Sequence, residues 1–570
     1  MNRMICPGPA LATALGIGPA HAAKSAICRK AIEWFGTARW FAVLAVVFLA
    51  SGRQSAGAED MQLQLRYRQE TSAGSGRHHT LVRSETWKPV ETAIIVCDVW
   101  DSHHCLNAVR RVEELAPRLN EVLKRARQQQ VTIIHGPSDC MAAYADHPAR
   151  KRASETPRAA NLPADIGTWC TKIPAEENGV YPLDQSDGGE DDDPAEHAQW
   201  AAKLTEMGRN PRAPWKTQSE RIEIDAERDY ISDRGEEVWS ILQQRGIQSV
   251  ILAGVHTNMC VLGRPFGLRQ MARNGKHVVL LRDLTDTMYN PERAPRVSHF
   301  TGTDLIVAHI EKYVCPTITS GQILGDGVEF RFAKDRRPHV VIIMAEDEYQ
   351  TERTLPQFAL DHLGRDFRVS YVFGSDTDRS GIPGLEVLNE ADVAVLSVRR
   401  RTPPAEQLDL VRKYVQAGKP VVGIRTACHA FCLRNQPAPT GCADWPEFDP
   451  QVFGGNYTNH YGNKLAATIR IADAALQHPL LTGLANEPFT SNGSLYKVSP
   501  LAVGASVLLI GRVEGQPEEP VAWTFQRADG GWSFYTSLGH VGDFEKAEFP
   551  RLLRNAIAAA AERKPAGASK

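Results

Sequence analysis

The chain has 570 residues, 42% of them hydrophobic and 23% charged, with 65 basic residues against 67 acidic ones and a formal net charge of −2. Such a balance argues against a nucleic-acid or anionic-membrane partner and leaves a small molecule as the expected ligand. The length calls for about two to four folded units.

The first feature along the chain is an uncharged apolar run, Trp40 to Ala50, preceded by Arg29, Lys30 and Arg39 and followed by the small residues Ala56 and Ala58. The run is too short to span a bilayer and suits the apolar core of a signal peptide. Residues 1–58 are therefore expected to be removed on export. The mature chain then starts near Glu59, is secreted or periplasmic, and has no membrane segment. Residues 59–84 read as an N-terminal extension. The eleven cysteines have no dense regular spacing, which excludes a disulfide scaffold. Pairing of Cys140 with Cys170 stays open.

Residues 92–98 (TAIIVCD) predict a buried parallel strand whose C-terminal end meets a site. A helix over 108–128 follows, with Val109, Val112, Leu115, Leu119, Val122 and Leu123 at helical spacing, and then a strand over 131–135. Residues 138–215 are rich in Pro, Asp, Glu and Gly and predict a long insertion partly covering the site. Its acidic run, Gly188 to Asp193, reads as a solvated loop. Then come a helix at 234–245, a strand at 248–254, a helix at 258–274 and a strand at 276–282. A glycine-containing linker separates this unit, 85–325, from a second one at 338–563; the boundaries place the linker at 326–337 and a tail at 564–570. The second unit predicts strands at 339–345, 367–373, 392–397, 420–424, 506–512, 520–526 and 531–537, with helices at 351–363 and 404–417. The fold class expected is α/β, two doubly wound parallel-sheet domains in tandem.

Chemistry gathers at three positions of the first unit. Cys260 lies in GVHTNMC (254–260), after a buried strand and at the start of a helix, where backbone N–H groups favour a thiolate and can hold an oxyanion. Asp98 ends another strand and can take the thiol proton. Lys216 lies where the insertion returns to the fold and can hold the carboxylate.

Asp98 after its strand, Lys216, and GVHTNMC followed by VVLLRDLTDT resemble the isochorismatase-like cysteine hydrolases over about 240 residues. The resemblance implies Asp98 as general base, Lys216 as its support and Cys260 as nucleophile on an amide or related carbon. It also implies a cis peptide between Val255 and His256, and an oxyanion hole from the backbone amides of Met259 or Cys260. The chain departs from the pattern at residues 99–104 (Val-Trp-Asp-Ser-His-His), and His135 to Asp139 match the nicotinamidase metal cluster only in part. No metal and no cofactor are expected, and the C–N bond of an amide or ureide is the expected target.

In the second unit, KPVVGI (419–424) leads into Arg425-Thr-Ala-Cys428-His429. This resembles the elbow of the class I glutamine amidotransferase-like fold, with Arg425 where those enzymes carry the nucleophilic cysteine. GGNYTNHY (454–461) and SLGHVGDF (537–544) narrow the resemblance to the trehalose-utilisation (ThuA-like) family. That implies a sugar-like ligand in a pocket near Arg425, Cys428, His429, His460 and His540, and no glutaminase activity. The rival reading is a carbohydrate-binding or scaffold protein on degenerate enzyme folds. A homo-oligomer is compatible with either.

Overall fold

A computed structural model describes residues 59–463 and 465–563. The expected signal peptide and the tail 564–570 lie outside the described residues. Among the described residues no helix is long and apolar enough to cross a membrane.

The first unit is built on strands β1 (Met61–Glu70), β2 (His78–Trp87), β3 (Thr92–Cys97), β4 (Thr132–Gly136), β5 (Tyr230–Ile231), β6 (Ser249–Val255), β7 (His277–Asp286) and β8 (Thr317–Ile318). They form one sheet in the order β2-β1-β8-β7-β6-β3-β4-β5. Its centre is parallel, as the β-α-β pattern predicts. Every residue of β3 is buried, because helices cover a parallel sheet on both faces. Helix α1 (Leu106–Gln128) buries Val112, Leu115, Leu119, Val122 and Leu123 against one face. Helices α2 (Pro148–Ser154) and α3 (Pro194–Glu206) lie within the insertion. On the other face, α4 (Gly235–Gln244), α5 (Leu268–Arg273) and α6 (His299–Tyr313) pack around Ile95, Leu252 and Leu280. The short α7 (Ser320–Leu324) ends this unit.

Three expectations are corrected here. The segment 59–84, read as an extension, is built into the first sheet: β1 and β2 form an antiparallel hairpin, and β1 pairs with β8. The predicted helix 258–274 is broken, since Pro265 has no N–H to continue it and the helix restarts only at Leu268. The expected linker is bound to the first unit, where the Phe330 N–H donates to Asp283 and the Phe330 and Phe332 rings pack on the core. Cys140 and Cys170 are both unpaired.

The hairpin is fastened by Glu311 of α6. Its carboxylate accepts from Arg66 Nε at 2.7 Å, Arg68 Nε at 3.1 Å and Thr317 Oγ1 at 2.6 Å. Burial would raise its pKa, but Arg66 and Arg68 hold it down at about 2. Removing one partner of a buried ion pair typically costs about 3–5 kcal/mol. Glu311→Gln is therefore expected to lower the urea midpoint by an amount of that order at pH 7. A carboxylate with a depressed folded-state pKa stabilises above its unfolded pKa and loses that contribution as pH falls through the folded value. The gap between native and variant chains should thus shrink as pH drops from about 5 toward 2; an undiminished gap would remove this account.

The second unit has strands β9 (His339–Ala345), β10 (Arg368–Phe373), β11 (Val393–Val398), β12 (Val421–Ile424), β13 (Asn459–His460), β14 (Ala467–Ile471), β15 (Phe489–Ser491), β16 (Tyr496–Lys497), β17 (Ala505–Arg512), β18 (Glu519–Gln526) and β19 (Trp532–Thr536). The large sheet runs β10-β9-β11-β12-β19-β18-β17-β14-β15, parallel through β19 and antiparallel beyond it. Both sheets are thus parallel at the centre with antiparallel additions, and the protein is a tandem of two α/β domains. Helices α8 (Thr351–His362), α9 (Ala405–Gln416) and α10 (Glu548–Ala561) cover the faces.

Candidate active site and second-domain pocket

In the first sheet three parallel strands end side by side, with Cys97 of β3 paired to Gly136 of β4 and Gly254 of β6. Gly254 has φ 113°, and a Cβ there would lie 2.0 Å from the Cys97 carbonyl oxygen, so no larger residue fits this approach of the two strands. Asp98 follows β3 directly. It is fully buried, with φ 48°, a left-handed conformation that costs a non-glycine residue about 1–3 kcal/mol. Its Oδ1 accepts from the Ser138 N–H at 2.8 Å and its Oδ2 from Arg264 Nε at 3.0 Å.

Beyond β6 the chain passes through the Val255–His256 peptide, which is cis, at the bond the resemblance implied. It then makes a π-helical turn, Thr257–Val261, that carries Cys260. The turn is pinned to β7 and the loop after it: Thr257 Oγ1 donates to the Asp286 carbonyl at 2.8 Å, and Asn258 Nδ2 to the Met288 carbonyl at 2.8 Å. Cys260 is 7% exposed, and Asp98 is the charged group that acts on its thiol most strongly. Burial and then the adjacent Asp98 push that thiol well above the ordinary cysteine range. Burial also raises the Asp98 pKa, against the opposing pull of Arg264 and Cys260. Both shifts run against the expected resting thiolate and favour a protonated thiol.

Lys216 does not join the cluster. Its side chain is exposed, its backbone N–H donates to Asp101 Oδ1 at 3.0 Å, and its ammonium makes no ion pair among the described residues. The cation beside Asp98 is Arg264, four residues past Cys260, whose N–H bonds the Cys260 carbonyl at 3.0 Å. That spacing, a cation one helical turn after a candidate nucleophile, was the available signal for it. Met259 is exposed, and its N–H is already donated to the His256 carbonyl at 3.0 Å, so the oxyanion role expected of that amide is not open to it. Val255 is buried in the core. His256 is buried, and burial pushes its pKa down to about 4; its ring lies 4.8 Å from that of His103.

The insertion does cover the turn. The Trp169 ring lies under the Arg264 guanidinium at 4.8 Å, the Cys170 N–H donates to the Gly263 carbonyl at 2.8 Å, and the Tyr181 hydroxyl reaches the Asn258 carbonyl at 3.4 Å. The acidic run is no solvated loop. Asp192 accepts from the Leu106 and Asn107 N–H groups at the start of α1, and Asp191 pairs with Arg111 and His299. Unsatisfied amides and a positive dipole at a helix start draw carboxylates to this position. Cys105, Asp191 and Asp192 lie close enough to share a cation, but both carboxylates are committed to these partners. His135 is likewise engaged, with Asp229 at 3.0 Å and Gln218 at 3.0 Å.

In the second domain Arg425 follows β12 as Asp98 follows β3, with φ 47°. Its fully buried guanidinium lies between the rings of Tyr349 (4.4 Å) and Tyr496 (4.7 Å). It donates to the Ser537 carbonyl, to the Tyr349 hydroxyl at 3.3 Å, and to the Ser494 side chain at 3.0 Å. Arg425, His429, His460 and His540 line one cavity of about 290 Å³ together with Arg399, Arg400 and Arg434. Cys428 does not line it. Its buried Sγ sits 3.2 Å from His429 Nδ1, and burial pushes its thiol far above the ordinary range. His429 stacks on Tyr457 at 4.5 Å and is kept neutral first by burial and then by the surrounding arginines. His460 Nδ1 is held by the Tyr461 carbonyl at 2.6 Å, and His540 Nδ1 accepts from the Gly542 N–H at 3.3 Å. Sequence reasoning missed the tyrosines and the three further arginines.

Residues 335–560 match the family model described as trehalose utilisation, ThuA, and residues 187–300 match the one described as isochorismatase domain. The second span contains Lys216, Cys260 and Arg264, while Asp98 precedes it. Among solved structures, a ThuA-like protein from Bacteroides uniformis is 18% identical and covers 41% of this chain and 95% of its own, with a TM-score of 0.30. A cysteine hydrolase from Pseudomonas syringae pv. phaseolicola is 17% identical and covers 43% of this chain and 98% of its own, with a TM-score of 0.26. An isochorismatase family protein from Burkholderia thailandensis is 11% identical and covers 42% and 97%, with a TM-score of 0.23. No curated protein matches the chain.

Proposed function

Because the chain joins an isochorismatase-like domain to a ThuA-like domain, we propose that it is a cysteine hydrolase cleaving the C–N bond of a small amide or ureide, with a second domain that binds a carbohydrate-related ligand. The observation that carries the first part is the placement of buried Cys260 on the turn after β6, with buried Asp98 at the end of the neighbouring strand and itself paired to Arg264. In the forward step Asp98 takes the thiol proton as sulfur attacks the carbonyl carbon, giving a tetrahedral adduct. Asp98 then returns that proton to the nitrogen, the C–N bond breaks, and an amine or ammonia leaves. Water, deprotonated by Asp98, cleaves the thioester and restores the thiol. Arg264 stays charged throughout and holds Asp98 in place. Lys216, exposed and unpaired with Asp98, has no part in this scheme.

The test is ammonia or amine release by the full chain across a panel of primary amides and ureides. Activity is expected to fall on the acid side with an apparent pKa above the ordinary aspartate value, because the base works only when ionised and burial raises its pKa. Release from no member of the panel, or a rate that stays flat down to the ordinary aspartate range, would count against the proposal.

For the second domain, convergence of His429, His460 and His540 on one cavity supports a ligand pocket rather than scattered structural histidines. The place of an elbow nucleophile is held by Arg425, which cannot attack a carbonyl.

A further inference from the structure

We infer that the second-domain pocket takes an anionic carbohydrate, a sugar phosphate or a sugar acid, gripped by Arg425, Arg400 and Arg434. This rests on the carbohydrate reading of that domain and narrows it.

The argument begins with charge. Four arginines line the cavity, and among its lining residues Glu348 carries the only carboxylate. Glu348 is already committed to Arg399. Arg400, Arg425 and Arg434 form no ion pair among the described residues. Of these, Arg425 stands out, because its side chain is completely enclosed, 2% exposed, and its Nε finds no acceptor. Desolvating a cation without a counter-ion is unfavourable. The neutral carbonyl and hydroxyl partners and the two tyrosine rings offset this only partly. A guanidinium so placed gains most from an anion entering the cavity.

The sequence has made room for this group. A Cβ at Gly493 would lie 2.8 Å from Arg425 Nη1, so a larger residue there would collide with the guanidinium. Arg400 is half-buried and has φ 46°, while Arg434 is exposed at the rim. Such a gradient, from an exposed arginine to a buried one, draws an anion inward and anchors it by forked hydrogen bonds. Neutral polar groups complete the lining: Asn463, Asn492, Ser494 and Tyr457 suit hydroxyls better than an apolar skeleton.

Phosphate and carboxylate share this recognition, so the experiment uses both. Titration calorimetry of the full chain would compare glucose 6-phosphate, glucuronate, neutral glucose and inorganic phosphate. The expected result is that glucose 6-phosphate or glucuronate binds at least about tenfold more tightly than glucose, the one that does so identifying the anion. Arg400→Gln, half-exposed and outside the core, should weaken that binding by about tenfold or more, and Arg425→Met likewise if it folds. Binding of glucose as tight as either anion, unmoved by Arg400→Gln, would overturn the inference while leaving the carbohydrate reading intact. Inorganic phosphate binding with no gain from the sugar would keep the anion site and overturn the carbohydrate reading. No heat with any of the four would overturn both.

Discussion

Replacing Cys260 by alanine is expected to reduce turnover of any substrate the native chain hydrolyses by about 10⁴-fold or more, the usual loss when a covalent nucleophile is removed. The thiol is the atom that forms the new bond, and nothing else in the turn can supply one. Thr257 is hydrogen-bonded to Thr285 and the Asp286 carbonyl, and Asn258 is clamped to Met288. The fold should survive, because Cys260 is a small side chain at the edge of its core. Groups that act as one unit are not additive. Asp98→Asn should therefore cost nearly as much alone, and the double variant should be little worse than Cys260→Ala. Kinetics of the three variants on one substrate provide the check, and independent, multiplying losses would mean that Cys260 and Asp98 do not act together.

The second large effect separates two cations. Arg264→Gln should cost about 10²-fold in kcat/KM, because it leaves the Asp98 carboxylate buried without its counter-charge. The sign of the pH effect follows. Burial already raises the Asp98 pKa, and Arg264 is the largest influence opposing it. Without that cation the carboxyl holds its proton to still higher pH. The acid limb of the pH profile must then move toward neutrality, and activity should partly recover on the alkaline side. Lys216→Ala should change kcat/KM by less than about threefold, since a surface charge unpaired with Asp98 contributes little. A large loss in Lys216→Ala with a small one in Arg264→Gln would restore the role the family resemblance assigns to the lysine.

Particular residues explain how far the sequence could be read. The strands and helices whose apolar runs are long and fully buried, such as 92–97 and 339–345, were legible, because parallel strands covered on both faces leave a continuous hydrophobic signature. The hairpin was legible in principle, since Met61, Leu63 and Leu65 alternate with polar residues and all three are buried. Its weak apolar content hid it. The break after Cys260 depends on Pro265 and on the local π turn, which a helical periodicity read over 258–274 averages away.

At the site, Asp98 and Cys260 could be found because each sits at a strand end. Arg264 was overlooked because the resemblance offered Lys216 for the same role. The reach of a side chain from an insertion cannot be judged from sequence separation alone. The acidic run at 188–193 looked solvated for a related reason: its partners, the start of α1 and His299, lie about 85 and 110 residues away in the chain. The pocket of the second domain was half visible. Arg425 and the histidines follow recognisable segments, but Arg399, Arg400 and Arg434 are surface-type charges until the fold turns them toward one cavity.

The most direct test of the account is to quench the full chain during steady turnover of an amide or ureide and weigh the peptide that contains residues 254–264. A covalent intermediate on Cys260 would appear as that peptide plus the acyl part of the substrate, absent in Cys260→Ala and decaying when substrate is exhausted. Continued turnover by Cys260→Ala at a rate close to native, with no acyl mass on the native peptide at any time, would contradict nucleophilic catalysis by Cys260.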